Sequence, residues 1–123
     1  QEPKVLLLDE PTSHLDISHA VQVLNLIQRL NEDLNLTVLM VIHDLNLAGE
    51  YCDYLMMMNQ GQLHTQGSPV EVLSYKNIED VYKTVVVTQQ NPLSKKTAIF
   101  LISDKVLRQC KGEIKNDQPL NER

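Results

Sequence analysis

Tryptophan is absent, phenylalanine occurs once, and aromatic residues make up 4% of the 123 positions. The core must therefore be built from aliphatic side chains. Lysine and arginine number 11 against 16 acids, a net charge of -5, so the chain lacks the basic face that a general nucleic-acid or anionic-membrane binder needs. That deficit says nothing against one bound nucleotide, whose phosphates need only local donors. Cysteine is scarce as well. Cys52 and Cys110 lie far apart with no CxxC spacing, which points to a reduced, cytosolic chain. No signal-peptide pattern, no internal repeat and no apolar run long enough to cross a bilayer is present. The first residue is Gln1 rather than Met, only a few positions before an apolar run, as expected of a fragment.

What is present is a 42% apolar composition, enough for one core and one domain at most. The most informative stretch is Val5 to Asp16, VLLLDEPTSHLD. Four aliphatics run into Asp9, Glu10 and Pro11. A short uninterrupted apolar run predicts a strand buried on both faces, as in a parallel sheet covered by helices. Two acids are costly to bury, so they belong at the exposed carboxyl end of that strand, the edge where open parallel sheets bind ligands. The plainer alternative is that Asp9 caps a turn and Glu10 is solvated.

After Asp16, a plausible N-cap, Val23, Leu26, Ile27, Leu30 and Leu34 recur at helical spacing, and Asn35 ends the helix. Thr37 to Ile42 is a second apolar run, stopped by His43 and Asp44. Strand, helix, strand at this length is a parallel crossover, almost always right-handed. A helix of roughly 18 residues rises about 27 Å, enough to return the chain so that both strands end on one edge. Glu10 and His43 are thereby expected on a single rim. Alone, His43 would read as a loop histidine.

Further on, a short helix is predicted over 44–51 and a core strand over 53–58. A turn at Gly61 follows, then an alternating strand over 62–66. Ser68, Pro69 and Glu71 form a capping box opening a helix to about Leu73. A second helical piece spans 76–81, and strands at 85–88 and 98–102 flank a turn with Asn91 and Pro92. Residues from Ser103 onward are polar and expected to be mobile or partly helical.

An acid after a buried apolar strand can hold magnesium against nucleotide phosphates, and a neighbouring carboxylate within hydrogen-bond reach can polarise the attacking water. LLLDEPTSHLD followed by VLMVIHDLNLA resembles the second half of an ATP-binding cassette (ABC) ATPase subunit. The resemblance implies a Walker B aspartate at Asp9, holding Mg2+ through water, and a catalytic glutamate at Glu10. It implies a D-loop at Ser13, His14, Leu15 and Asp16 that lies beside ATP at a dimer interface, and a switch histidine at His43. GQLHTQGSPVEVL, Gly61 to Leu73, is also similar to the segment that follows that histidine in the family. SHLD, HDLNLA and DVYKTVVVTQQNPLSKKTAIFLI resemble the importers of iron chelates, haem and cobalamin.

The implied fold is α/β, a partial P-loop NTPase (ABC ATPase) fold with a mostly parallel sheet and flanking helices. Residues 1–102 would be the carboxyl-terminal part of a nucleotide-binding domain and 103–123 a tail. The implied activity is ATP hydrolysis powering import, with ATP and Mg2+ as cofactors. The implied partners are a second ATPase subunit in a homodimer, integral membrane permease subunits and, indirectly, a periplasmic or surface binding protein. The expected location is the cytoplasmic face of the cell membrane, and no nucleic acid is implied. A non-catalytic assembly module derived from this fold is the alternative.

No GxxxxGK[ST] phosphate loop and no LSGGQ-type signature occurs in the 123 residues. The chain alone is therefore expected to bind ATP weakly and not to hydrolyse it. In the family the phosphate-loop strand lies between the strand of His43 and that of Asp53, so a gap in the sheet and an uncovered apolar patch are expected, with self-association, strand exchange or local rearrangement as the consequence. His14, His19 and His64 have no spacing of a metal set. Met56 to Met58 read as core, Lys95 and Lys96 as solvated turn residues, and Cys52 and Cys110 as buried or idle thiols rather than catalytic ones.

Overall fold

The β1 strand, Val5–Asp9, pairs in parallel with β2, Thr37–Val41, with Val5 opposite Thr37 and Asp9 opposite Val41. Helix α1, Ile17–Leu34, makes the crossover between them. These elements belong to a computed structural model that describes residues 4–110. The apolar runs form strands because each is short, contains β-branched residues and is stopped by polar ones. Asn35 ends α1 in a left-handed conformation (φ 50°), a role asparagine tolerates well. Helix α2, Leu45–Tyr51, completes the first of two compact units, which divide between Tyr51 and Cys52.

Only one face of the β1–β2 pair is covered. Val5, Leu7, Leu39 and Val41 are 60, 69, 51 and 52% exposed, whereas the alternate residues Leu6, Leu8, Val38 and Met40 are half-buried. The expectation of strands buried on both faces is thus corrected. A pair of strands joined by one crossover helix has one helix to cover it, and α1 buries Ala20, Leu24 and Ile27. The expected helix face also shifts. Leu26 follows Leu24 by about 200° around the helix and is exposed, and Leu34, in the last turn, is exposed too.

In the second unit, β3 (Leu55–Asn59) and β4 (Gln62–Gly67) form an antiparallel hairpin, with an irregularity between Met57 and Met58. Both central residues of its turn, Gln60 and Gly61, have positive φ (51° and 78°), the geometry that matches strand twist in tight hairpins. Helices α3 (Pro69–Val72) and α4 (Tyr75–Tyr82) follow, then the antiparallel strands β5 (Val86–Gln90) and β6 (Thr97–Leu101), and α5 (Asp104–Gln109). Ser68 and Glu71 make the predicted reciprocal cap of α3, with Pro69 in its first turn.

The buried residues of this unit are aliphatic or sulfur-bearing: Met57, Val72, Leu73, Ile78, Val86 and Ile99. Met57 alone of its run is core, because strand alternation puts Met56 and Met58 on the other face, where both are about half exposed. The expected mostly parallel sheet is also corrected. Among the described residues there are three two-stranded sheets, one parallel and two antiparallel. Of the expected tail, α5 is helical, and the part from residue 111 lies outside the described residues.

Candidate functional site

The site is assembled where β1 and β2 end. Asp9 closes β1 opposite Val41, and its side chain is exposed. One residue later the Glu10 N–H donates to the Val41 carbonyl at 2.9 Å, extending the parallel ladder by one bond. Glu10 then leaves the strand with φ 51°, a left-handed conformation uncommon for a residue with a side chain. The chain turns at once. The Ser13 N–H donates to the Glu10 carbonyl at 3.0 Å and the Leu15 N–H to that of Thr12 at 3.3 Å, with His14 also left-handed (φ 66°).

This turn brings Glu10 against His43, two residues beyond the end of β2. Glu10 Oε1 and His43 Nε2 form a pair, ionic when the imidazole is protonated, although the 18-residue helix α1 separates them in sequence. The His43 side chain is 76% exposed and that of Glu10 40%. A solvated pair of this kind contributes about 0–1 kcal/mol. Holding a non-glycine residue in a sparsely populated backbone region costs about 1–3 kcal/mol. Stability therefore does not account for the arrangement, and such outliers cluster at functional sites.

The contact also fixes chemistry on the imidazole. Nε2 faces a carboxylate, so Nε2 carries the proton; Nδ1 is left as an acceptor in the neutral ring or a second donor in the imidazolium. Asp9, Glu10 and His43 thus share one rim: two carboxylates adjacent in sequence, and an imidazole held by the second.

The residues after the turn are placed but not gathered into the pair. Ser13, His14 and Leu15 are exposed. Asp16 caps α1, accepting from the His19 N–H at 2.9 Å, and the same oxygen lies 2.8 Å from His19 Nδ1. The backbone donor first, and then the imidazole, hold the Asp16 carboxyl below its usual range. His19 has a capping role that its spacing alone did not reveal. No group of three or more histidine, cysteine or acidic residues able to hold a metal exists among the described residues.

The sequence also gave no sign of a link between the two helices that flank the site. The Tyr51 hydroxyl, in the last position of α2, donates to Asn25 Oδ1 in α1 at 2.7 Å. An open cleft of about 360 Å³ in the second unit is lined by Val70, Leu73, Thr88 and Gln90 among others, and contains none of the candidate residues.

The chain is 44% identical over 82 residues to the petrobactin import ATP-binding protein FpuC of Bacillus anthracis, an overlap of 67% of this chain and 30% of that protein. It is 42% identical over 82 residues to the ferric enterobactin transport ATP-binding protein FepC of Escherichia coli, again covering 67% and 30%. The chain's homologues are ABC transporter ATP-binding proteins. The hemin import ATP-binding protein HmuV of Plesiomonas shigelloides is another, 46% identical over 80 residues, with 65% and 30% covered.

A metal-chelate type ABC transporter solved in an inward-facing conformation matches the fold with a TM-score of 0.74 at 26% identity, over 85% of this chain and 42% of that one. The cbiO1 protein of Clostridium perfringens, part of the ABC transporter complex cbiONQ, matches with a TM-score of 0.55 at 35% identity, over 63% and 31%. No family model matches the chain. The chain spans about a third of the length of the curated relatives it matches. No helix among the described residues is long and apolar enough to cross a membrane.

Proposed function

We propose that this chain is the hydrolytic portion of the ATP-binding subunit of an ABC importer for an iron-siderophore, haem or cobalamin. The observation that carries the reading is the Glu10–His43 pair at the shared end of two parallel strands, with Asp9 beside it. Glu10 is the general base that orients and polarises the attacking water. His43, held through Nε2, presents Nδ1 toward the terminal phosphate and donates to it when protonated. Asp9 holds Mg2+. It suits that ion as a hard, exposed oxygen donor at a strand end, and magnesium keeps most of its waters and takes its remaining ligands from phosphates. With one such protein ligand, Mg2+ binds together with ATP rather than to the chain alone. Bound ATP–Mg2+ supplies the phosphoryl group and neutralises the charge that develops on it.

Ser13, His14, Leu15 and Asp16 form the D-loop of this reading and face a second ATPase subunit. Their exposure, including that of the apolar Leu15 at 41%, supports a partner-contacting role. Residues 1–102 act as the carboxyl-terminal part of the nucleotide-binding domain, at the cytoplasmic face of the membrane against a permease. ATP-binding proteins named for petrobactin import, hemin import and ferric enterobactin transport among the relatives support the substrate class.

The absence of a phosphate loop from the 123 residues favours one further reading, a non-catalytic assembly module. A single experiment separates the two. A polypeptide joining this chain to a segment with phosphate loop and signature should hydrolyse ATP in a Mg2+-dependent way, and lose that activity on His43→Ala. The 123-residue chain by itself should bind ATP weakly and turn none over. Turnover that survives His43→Ala would overturn the hydrolytic reading.

A further inference from the structure

His43 lies outside β2, and its imidazole is the more exposed partner of the pair. Its backbone position is set from the other side, by the helix that begins two residues later. The Asp44 carboxylate accepts from the Leu47 N–H at 3.1 Å, and the Asp44 carbonyl from the Ala48 N–H at 3.0 Å. The first turn of α2 is thus built on the neighbour of His43. A helix of seven residues is too short to hold itself, so its position depends on tertiary attachments. Ala48 and Gly49 are buried, and at the far end the Tyr51 hydroxyl reaches Asn25 of α1.

We propose that Tyr51 is a positioning residue for His43: its hydrogen bond to Asn25 anchors α2 to α1 and thereby sets where the imidazole meets Glu10. The helix is a stiff rod of about 10 Å, fixed at one end next to His43 and at the other by this bond. Freeing the far end lets the rod pivot, and the pivot displaces the residue at its start. The link joins the two helices that leave the site, since α1 begins at the Asp16 cap and α2 at the Asp44 cap. Tyrosine suits the role because it must donate. An ordinary phenol, with pKa about 10, already carries its proton at neutral pH, and burial, with the charge of Glu50 second, only moves it further in that direction.

This inference rests on reading Glu10 and His43 as a functional pair, but its test needs no nucleotide. The histidine side-chain resonances of the 123-residue chain are recorded by NMR for the parent and for Tyr51→Phe, Asn25→Asp and Glu10→Ala, the last of which removes the acceptor of His43. Tyr51→Phe keeps the ring and removes the donor. The His43 signals should move toward their positions in Glu10→Ala, and protection of the Ala48 amide should fall about fivefold, the net worth of one hydrogen bond. Asn25→Asp keeps an acceptor and should leave both near the parent values.

A merely structural role would lower the melting temperature while leaving the His43 signals in place. Unmoved His43 signals in Tyr51→Phe overturn the proposal. If Tyr51→Phe does not fold, Asn25→Ala removes the same bond from the exposed side of α1 and must give the same displacement. A failure here leaves the hydrolytic reading standing. Activity that survives His43→Ala in the longer polypeptide would refute that reading without touching this geometry.

Discussion

Replacing Glu10 by Gln separates a chemical role from a structural one. The carboxylate's partner is His43, and the pair is solvated, with side chains 40 and 76% exposed. Losing it should therefore change the stability of the chain in urea by less than about 1 kcal/mol. Gln keeps a carbonyl that can accept from Nε2–H, and its Cβ makes the same demands on the left-handed backbone. Loss of a general base, by contrast, slows a reaction by about 10²–10⁴-fold. At about 1.36 kcal/mol per decade, that is about 3–5 kcal/mol of barrier. The catalytic effect should thus exceed the folding effect several-fold.

Urea unfolding of the 123-residue chain measures the first quantity. Phosphate release and equilibrium ATP binding, in a polypeptide that also carries phosphate loop and signature, measure the second. The expected result is unchanged ATP affinity, turnover down at least about a hundredfold and an unfolding midpoint close to the parent's. Turnover within a few-fold of the parent would refute the base assignment. A stability loss above about 2 kcal/mol would show that Glu10 serves the fold instead.

Three other outcomes follow from particular residues. Leu24 is 1% exposed in α1, so Leu24→Ala should cost about 2–5 kcal/mol in urea unfolding, and a cost below about 1 kcal/mol would mean that α1 does not carry the core of the first unit. The folded Asp16 carboxyl is depressed by its two His19 contacts, so the cap is fully formed above the unfolded value of about 3.9 and is lost as pH falls through the lower folded value. Amide protection in the first turn of α1 should fall only in that acidic range, and the fall should vanish in Asp16→Asn; the same fall in both proteins refutes the cap as its origin. The apolar face of Val5, Leu7, Leu39 and Val41 should drive self-association, with light-scattering mass rising with concentration and Leu7→Lys with Leu39→Lys reducing it. A monomer at every concentration would contradict this.

The crossover was legible because its signals are local. VLLLD and TVLMV are short, apolar and bounded by polar residues, and the helix between them has its cap at Asp16 and its stop at Asn35. Parallel pairing then follows from chain geometry, and with it the meeting of Glu10 and His43. Coverage was not legible. An apolar run reads the same whether one face or both are packed, so the exposure of Leu7 and Leu39 needed coordinates. Nor do local signals say which strands join: the Gly61 turn and the alternation of 62–66 were visible, but not that β3–β4 and β5–β6 stand as separate antiparallel pairs. The left-handed Glu10 carries no glycine or asparagine to announce it. The bond between Asn25 and Tyr51 spans 26 positions without a periodic signature.

Register is what turns two strand ends into a site. Asp9 faces Val41, and backbone bonds bracket that alignment: Thr37 N–H to the Lys4 carbonyl at 3.0 Å at one end, Glu10 N–H to the Val41 carbonyl at 2.9 Å at the other. A slip of one residue would move His43 by about 3.3 Å along the sheet and turn every side chain of β2 to the opposite face. Both the ion pair and the half-buried row of Val38 and Met40 would be lost together. The packing of α1 against one face therefore selects the same register that the Glu10–His43 contact requires. All the residues that fix it lie within the first unit. The geometry of the pair is consequently a property of this β-α-β segment.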